Sequence, residues 1–206
     1  ESDVYGRFQY GIPGNNAGDY AFVQHMVASL NSNGMAGVVM PDGVLFRGGT
    51  EGKIRRGLLE DDLLEAIIGL PSNLFYGTGI TANILIFNRN KKGGSKGNVL
   101  FIAAEEHYQE GKNQNILRDG DVSRIVSAFE NFEDIEKYAR VVTLEDIREN
   151  DYNLNINLYI DKSVEEELVD IPSVLRDIKM LELNRNHTKE KLYRYLQELG
   201  LGEYHD

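Results

Sequence analysis

Between residues 63 and 88 the chain reads LLEAIIGLPSNLFYGTGITANILIFN, and no other stretch constrains the fold as much. It holds two apolar runs, 64–70 and 80–87. Both are short, apolar on both faces and rich in Ile, which marks buried strands. Pro71, Ser72, Asn73, Gly77 and Gly79 join them. A connection this short only turns the chain back, so the second strand runs antiparallel to the first. A third apolar run, 34–40, ends in the turn Pro41-Asp42-Gly43. Between it and residue 64 lies a helical pattern over 50–62, with Ile54, Leu58 and Leu59 inward. Strand, helix, strand and an immediate reversed strand describe an α/β sheet that finishes on one antiparallel member. Its open end carries the functional loops.

The remaining segments read as follows. Residues 1–18 hold four glycines and a proline and form a loop studded with Tyr5, Phe8 and Tyr10. Residues 19–31 form a helix capped by Asp19 and closed by Asn33-Gly34. Ala21, Phe22, Met26 and Leu30 are its inward stripe, widened by Val23 and Val27, with His25 beside it in a structural role. Thr50 is a candidate cap for the helix that follows, and Lys53, Arg55 and Arg56 point outward or sideways, available to phosphate or solvent. Val99 opens a further strand to Ala103. Residues 105–115 are irregular, 121–129 are helical, and 139–142 are extended. Thr143 caps the next turn through Asp146. DYNLNINLY at 151–159 alternates and reads as an edge strand. From Pro172 to Gly200 an interrupted stripe of Leu175, Ile178, Leu181, Leu192, Leu196 and Leu199 predicts a long helix or helical pair that needs a partner surface.

Composition narrows the chemistry. The net charge of −11 makes the chain a poor non-specific binder of nucleic acid by itself. There is no cysteine, so no disulfide or thiol chemistry, and no 18-residue apolar run to span a membrane. No leader sequence opens the chain, and a reducing, cytoplasmic setting fits. No zinc spacing or paired catalytic carboxylates stand out. GVLFRGG at 43–49 is neither a Walker loop nor a dinucleotide fingerprint. No residue is assigned as catalytic, cofactor-binding or metal-ligating. The best candidate site is the 71–79 loop, where Phe75 and Tyr76 can stack on a base or pack the loop down.

GRFQYGIP (6–13), DYAFVQHMVASL (19–30), GVVMPDGVLFRGGTEGKIRRGLLED (37–61), LLEAIIGLPSNLFYGTGITANILIFNRNK (63–91) and NDYNLNINLYID (150–161) together closely resemble the modification subunit of type I restriction–modification systems. These are S-adenosylmethionine-dependent DNA N6-adenine methyltransferases. The resemblance covers about residues 1–161 and, loosely, the tail. It implies the C-terminal half of a Rossmann-like methyltransferase sheet, mixed, with the last strand antiparallel between the fifth and sixth. Residues 35–40, 64–70 and 82–88 would be strands five, six and seven, and 162–206 a helical tail for subunit docking. The family's methyl-donor site and its catalytic Asn-Pro-Pro-Phe/Tyr motif lie upstream, so S-adenosylmethionine serves the full-length enzyme and none is expected on this fragment, which alone is expected to be inactive.

By the same resemblance Phe75 or Tyr76, with Thr78, faces the flipped adenine, and Phe46 and Arg47 lie beside the pocket. DNA is met through the complex, whose specificity subunit docks on the tail and whose restriction subunit completes the assembly. Two further expectations stand beside this one. The edge of the 35–40 strand is open and weakly charged, so the fragment can self-associate there, or residues 1–18 can fold over it. The chain can also serve as a non-catalytic interaction module that docks the specificity subunit. A small-molecule α/β enzyme is a third class, disfavoured by the missing cofactor loop.

Overall fold

The computed structural model describes residues 3–14, 18–162 and 171–201. Five strands form one mixed sheet: β1 (Met35–Pro41), β2 (Leu64–Leu70), β3 (Ala82–Asn88), β4 (Asn98–Ala103) and β5 (Ala139–Thr143). Their spatial order is β1-β3-β2-β4-β5. β3 is antiparallel to both β1 and β2, β4 is parallel to β2, and β5 is antiparallel to β4. The reversed strand expected at 82–88 therefore lies between its two predicted neighbours, inserted by the tight loop after β2. The carboxyl ends of β1, β2 and β4 share one edge of the sheet, and β3 starts there.

Helices cover both faces. Against one lie α1 (Asp19–Ser29), the short α2 (Gly43–Phe46), α3 (Gly49–Glu60) and α5 (Leu144–Glu149). Their Val23, Val27, Leu45, Ile54, Leu58 and Ile147 meet Ile67, Leu85, Phe87 and Phe101 of the sheet. Against the other lies α4 (Asp119–Asn131), whose Ile125 and Ala128 meet Ile68, Leu100 and Ile102. Every residue of β2 is buried, as a central strand covered twice requires.

The chain divides into two compact units, Glu1–Lys162 and Ser163–Asp206. The second carries α6 (Ile171–Glu198), one helix of 28 residues, which decides between the long helix and the helical pair that the stripe left open. Among the described residues no helix is long and apolar enough to cross a membrane. None of their acidic, His or Cys side chains cluster to hold a metal.

Several local expectations are corrected. α1 buries Tyr20, Val23, Gln24 and Val27, whereas Phe22 and Met26 face outward. Gln24 outcompetes the apolar choice because its amide is needed inside: Nε2 donates to Gly11 O at 2.9 Å, and Oε1 accepts from Tyr10 N at 3.2 Å. His25, expected in a buried or half-buried structural role beside the inward stripe, is exposed, its Nδ1 3.1 Å from Arg7 Nη1. Neither Asp19 nor Thr50 caps a helix. Gly18 and Gly48 hold those positions without a side-chain bond, and α1 ends at Leu30, ahead of Asn33-Gly34. Thr143 does cap α5, accepting from Asp146 N at 3.2 Å.

Residues 151–159 are not a strand. Asn153 and Asn155 each fold their side-chain oxygen back onto the backbone N–H two residues on, and a 3₁₀ turn follows at Ile156–Leu158. These local bonds satisfy the backbone that a ladder would otherwise use. Among the described residues of 1–18, no backbone hydrogen bond reaches β1. The segment bonds to its own turns and to Gln24, His25 and Asp61, so among the described residues no strand pairs with the outer edge of β1.

One ion cluster sets an acid limit on stability. Arg148 grips Glu60 through Nη2 at 2.6 Å and Nε at 3.1 Å, and the Tyr152 hydroxyl donates to the same carboxylate. These donors, Arg148 first, hold the Glu60 carboxyl down at about 2 from an ordinary 4.5. A depressed carboxyl adds stability that is complete above its unfolded value and fades as pH falls through the folded one. Between about pH 4.5 and 2 the denaturation midpoint of Glu60→Gln is expected to fall less steeply than that of the wild type, as urea titrations across that window would show. Parallel slopes for the two proteins would remove Glu60 from the acid response.

Candidate functional site

The carboxyl edge of the parallel strands is built from three connections: 41–48 after β1, 71–81 between β2 and β3, and 104–118 after β4. An open sheet places ligands outside this edge. The middle connection carries two exposed aromatic side chains at its tip. Phe75 is 38% accessible and Tyr76 91%, against half-exposed Phe46 on the neighbouring connection. Asn73 and Gly77 adopt positive φ, which turns the chain outward at both sides of the aromatic pair.

The base of that loop is held firmly. The Asp42 carboxylate accepts from the Thr81 hydroxyl on one oxygen and from Asn83 Nδ2 on the other, the latter at 2.6 Å. Asn83 is itself buried. On the other flank Asn115 Nδ2 donates to Ser72 O at 2.8 Å, Asn115 N donates to Asn73 O at 2.8 Å, and Gln114 Nε2 donates to Leu74 O. Leu74 packs on the core cluster beside α4. The loop is thus a braced turn with two aromatic side chains at its tip.

Beside it lies a hollow of about 290 Å³, lined in part by Asp42, Phe46, Thr81, Asn83, Glu105 and Lys162. Lys162 Nζ donates to Glu105 Oε2 at 2.9 Å. Gly69 permits this arrangement, since a Cβ there would come within 2.3 Å of Glu105 Oε1. A second groove of about 330 Å³ runs along α3 and includes Phe46, Lys53, Arg56, Asn150 and Tyr152.

The five predicted residues separate. Phe46 lines both depressions. Arg47 lines neither and instead lies 3.5 Å from Asp19 and 3.8 Å from Glu51. Phe75, Tyr76 and Thr78 stand on the loop outside both, and Thr78 Oγ1 accepts from Ile80 N at 3.3 Å.

Sequence reasoning missed Asp42, Asn83 and Glu105, because their pairing joins residues tens of positions apart. It also placed Arg55 outward. The structure buries it, with Nε donating to Tyr152 O at 2.8 Å and Nη1 to Val44 O at 3.1 Å and Arg47 O at 2.8 Å. Arg55 therefore sets the path of the Phe46-Arg47 connection. Lys53 and Arg56 do remain outside, Arg56 lying 4.9 Å above the Tyr152 ring.

Comparison with known proteins agrees with this geometry. Residues 1–168 match the family model for N-6 DNA Methylase. The MjaVIII methylase subunit of a type I restriction enzyme from Methanocaldococcus jannaschii is 39% identical over 201 residues, covering 96% of this chain and 34% of that protein. The HindI methylase subunit from Haemophilus influenzae is 33% identical over 172 residues, covering 78% and 38%. The crystal structure of a type I restriction–modification methyltransferase subunit from Streptococcus thermophilus superposes with a TM-score of 0.73 at 40% identity, covering 77% of this chain and 34% of that one. The EcoKI M protein, at 22% identity and a TM-score of 0.59, shares the fold. The chain spans about a third of the length of the relatives it matches. With a matching family model over most of its length and the reversed strand in the expected place, the chain belongs to the N-6 DNA methylase family.

Proposed function

We propose that this chain forms the target-base side of a DNA adenine N6-methyltransferase of a type I restriction–modification complex. Residues 1–161 belong to the catalytic domain and 162–206 to a docking tail. One observation carries the reading: the reversed β3 between β1 and β2, which projects a braced loop bearing Phe75 and Tyr76 from the carboxyl edge of the sheet. A base that must be methylated on its exocyclic nitrogen has to leave the stack. It then needs a flat apolar surface to replace its neighbours. Tyr76, nearly fully exposed, and Phe75 supply such surfaces, and Phe46 extends them. Thr78 sits between the two glycines on the same loop as a hydroxyl within reach of a base edge, with Arg47 as a cation on the adjoining connection.

The family and fold are those of S-adenosylmethionine-dependent methyltransferases. Of the carboxylates on this crest, Asp42 braces the loop through Thr81 and Asn83, and Glu105 pairs with Lys162. No residue of this chain is given a part in holding the methyl donor.

The charge of −11 supports a division of labour in which DNA is held largely by a specificity subunit, with the restriction subunit completing the complex in the cytoplasm. A second reading, an interaction module alone, is favoured only by α6, none of whose residues is buried.

The test is methyl transfer from labelled S-adenosylmethionine to adenine-containing DNA by the complete methyltransferase, with and without Phe75→Ala or Tyr76→Ala. Stacking on an aromatic contributes about 1–3 kcal/mol per base, so the variant that loses the stacking ring falls roughly 10- to 100-fold in kcat/KM. Wild-type rates with both rings removed would leave this loop as scaffold.

A further inference from the structure

The face of α6 carries a regular repeat. Ile171, Val174, Ile178 and Leu181 are spaced alternately by three and four residues. The same register continues through Arg185 and Thr188 and resumes apolar at Leu192, Tyr195 and Leu199. Alternating spacings of three and four are the seam of a left-handed coiled coil, with two polar positions at its centre. The apolar members of this seam are between 43% and 72% accessible. A helix of 28 residues, about 42 Å long, with an uncovered seam of this kind needs a partner helix.

We infer that this seam pairs antiparallel with the same helix of a second copy of the chain. The residues themselves select that occupant and direction. Turned end for end about the midpoint between Arg185 and Thr188, Leu181 meets Leu192 of the second copy, Ile178 meets Tyr195, and Val174 meets Leu199. Arg185 then faces Thr188 and keeps its charge clear of apolar layers. On the flanks Glu182 falls beside Lys189 of the second copy, twice by symmetry, and Leu175 beside Leu196. The one like-charged pair, Asp177 with Glu198, lies at the solvent-open ends. A parallel pair in register would stack Arg185 on Arg185 and set Asp177 beside Glu182, repelling at the centre and along the flank. Sliding an antiparallel pair by a heptad would bury Arg185 against an apolar layer. The inference stands on α6 alone and does not need the methyltransferase reading. If another subunit docks on this face, it displaces the second copy.

Sedimentation equilibrium of the 206-residue chain at micromolar concentration tests it. The expected mass is twice the 23.3 kDa of one chain, and Leu181→Lys, on an exposed helix face, returns it to the single mass. The chain contains no cysteine, so Leu181→Cys and Leu192→Cys each introduce a unique thiol. Mixed and mildly oxidised, the two variants form a disulfide only with each other if the helices are antiparallel. A parallel pair would hold positions 181 and 192 about 16 Å apart and give only like-with-like disulfides. A single-chain mass for the wild type, a dimer that survives Leu181→Lys, or like-with-like disulfides would each overturn the inference. The surviving dimer would assign self-association to another surface, such as the open edge of β1.

Discussion

Replacing Arg55 by Met lowers the unfolding midpoint of the α/β unit by about 10 °C. Arg55 is only 4% exposed, and its guanidinium donates to three backbone carbonyls, those of Val44, Arg47 and Tyr152. Methionine keeps much of the aliphatic stem and removes every donor. Each carbonyl left unpaired away from water costs on the order of 1–3 kcal/mol, and neighbouring losses overlap, so about 3–5 kcal/mol is expected in total. For a unit of this size that is about 10 °C. Scanning calorimetry on the two proteins measures it directly. Arg55→Lys should restore little, because one ammonium cannot span three carbonyls that a planar fork reaches together. A midpoint within about 2 °C of wild type for Arg55→Met would mean that water takes over the three acceptors. The effect should extend to function, because the carbonyls of Val44 and Arg47 flank Phe46, which lines both depressions at the crest.

Lys91→Met is expected to cost about 3 kcal/mol. The Lys91 ammonium is 2% exposed as a side chain, 2.5 Å from Asp62 Oδ1, and donates to Leu64 O at 2.9 Å and Asn98 O at 2.6 Å. Asp62, itself at positive φ, accepts from Gly97 N on its other oxygen. One cation thus ties together the starts of the parallel strands β2 and β4. Asp62 is 31% exposed and can recover water, so the penalty falls mainly on the two carbonyls. Denaturant titration gives the total. Hydrogen exchange at the starts of β2 and β4 should quicken before exchange in β3, which the cation does not touch. Uniform quickening across the sheet would show that Lys91 acts on global stability without a local role.

These two cations also show where the sequence is silent. Arg55 sits among Lys53 and Arg56 in a helix, and nothing in that run distinguishes the buried member from its exposed neighbours. The distinction is made by Tyr152, almost a hundred residues on, whose carbonyl waits at the far side of the packing. Gln24 is a similar case. Periodicity selected Phe22 and Met26 as the inward face of α1, yet an amide is buried there because the 10–11 segment brings two backbone groups that need satisfying. The asparagines of 151–159 alternate as a strand would. Their side chains bond their own backbone instead, so the alternation carries no pleat.

The sheet itself was legible, and for a local reason. Runs of seven residues apolar on both faces, joined by a connection too short to cross over, leave one arrangement for residues 64–88. That arrangement places an aromatic loop at the sheet edge. Resemblance over the same residues supplied the family, since long ordered runs of side chains identify a lineage where spacing cannot. The long helix with its uncovered stripe was also readable, because a helical period needs no distant partner to be recognised. Only the tertiary structure decided that Phe46 shares a hollow with Thr81 and Glu105 while Arg47 turns away to Asp19 and Glu51. Only the fold showed that Asp42 anchors the loop bearing Phe75 and Tyr76. Apolar burial follows patterns that repeat every two or every 3.6 residues and are written along the chain. A buried polar contact depends on which atoms meet once the chain has folded, and no local pattern encodes that meeting.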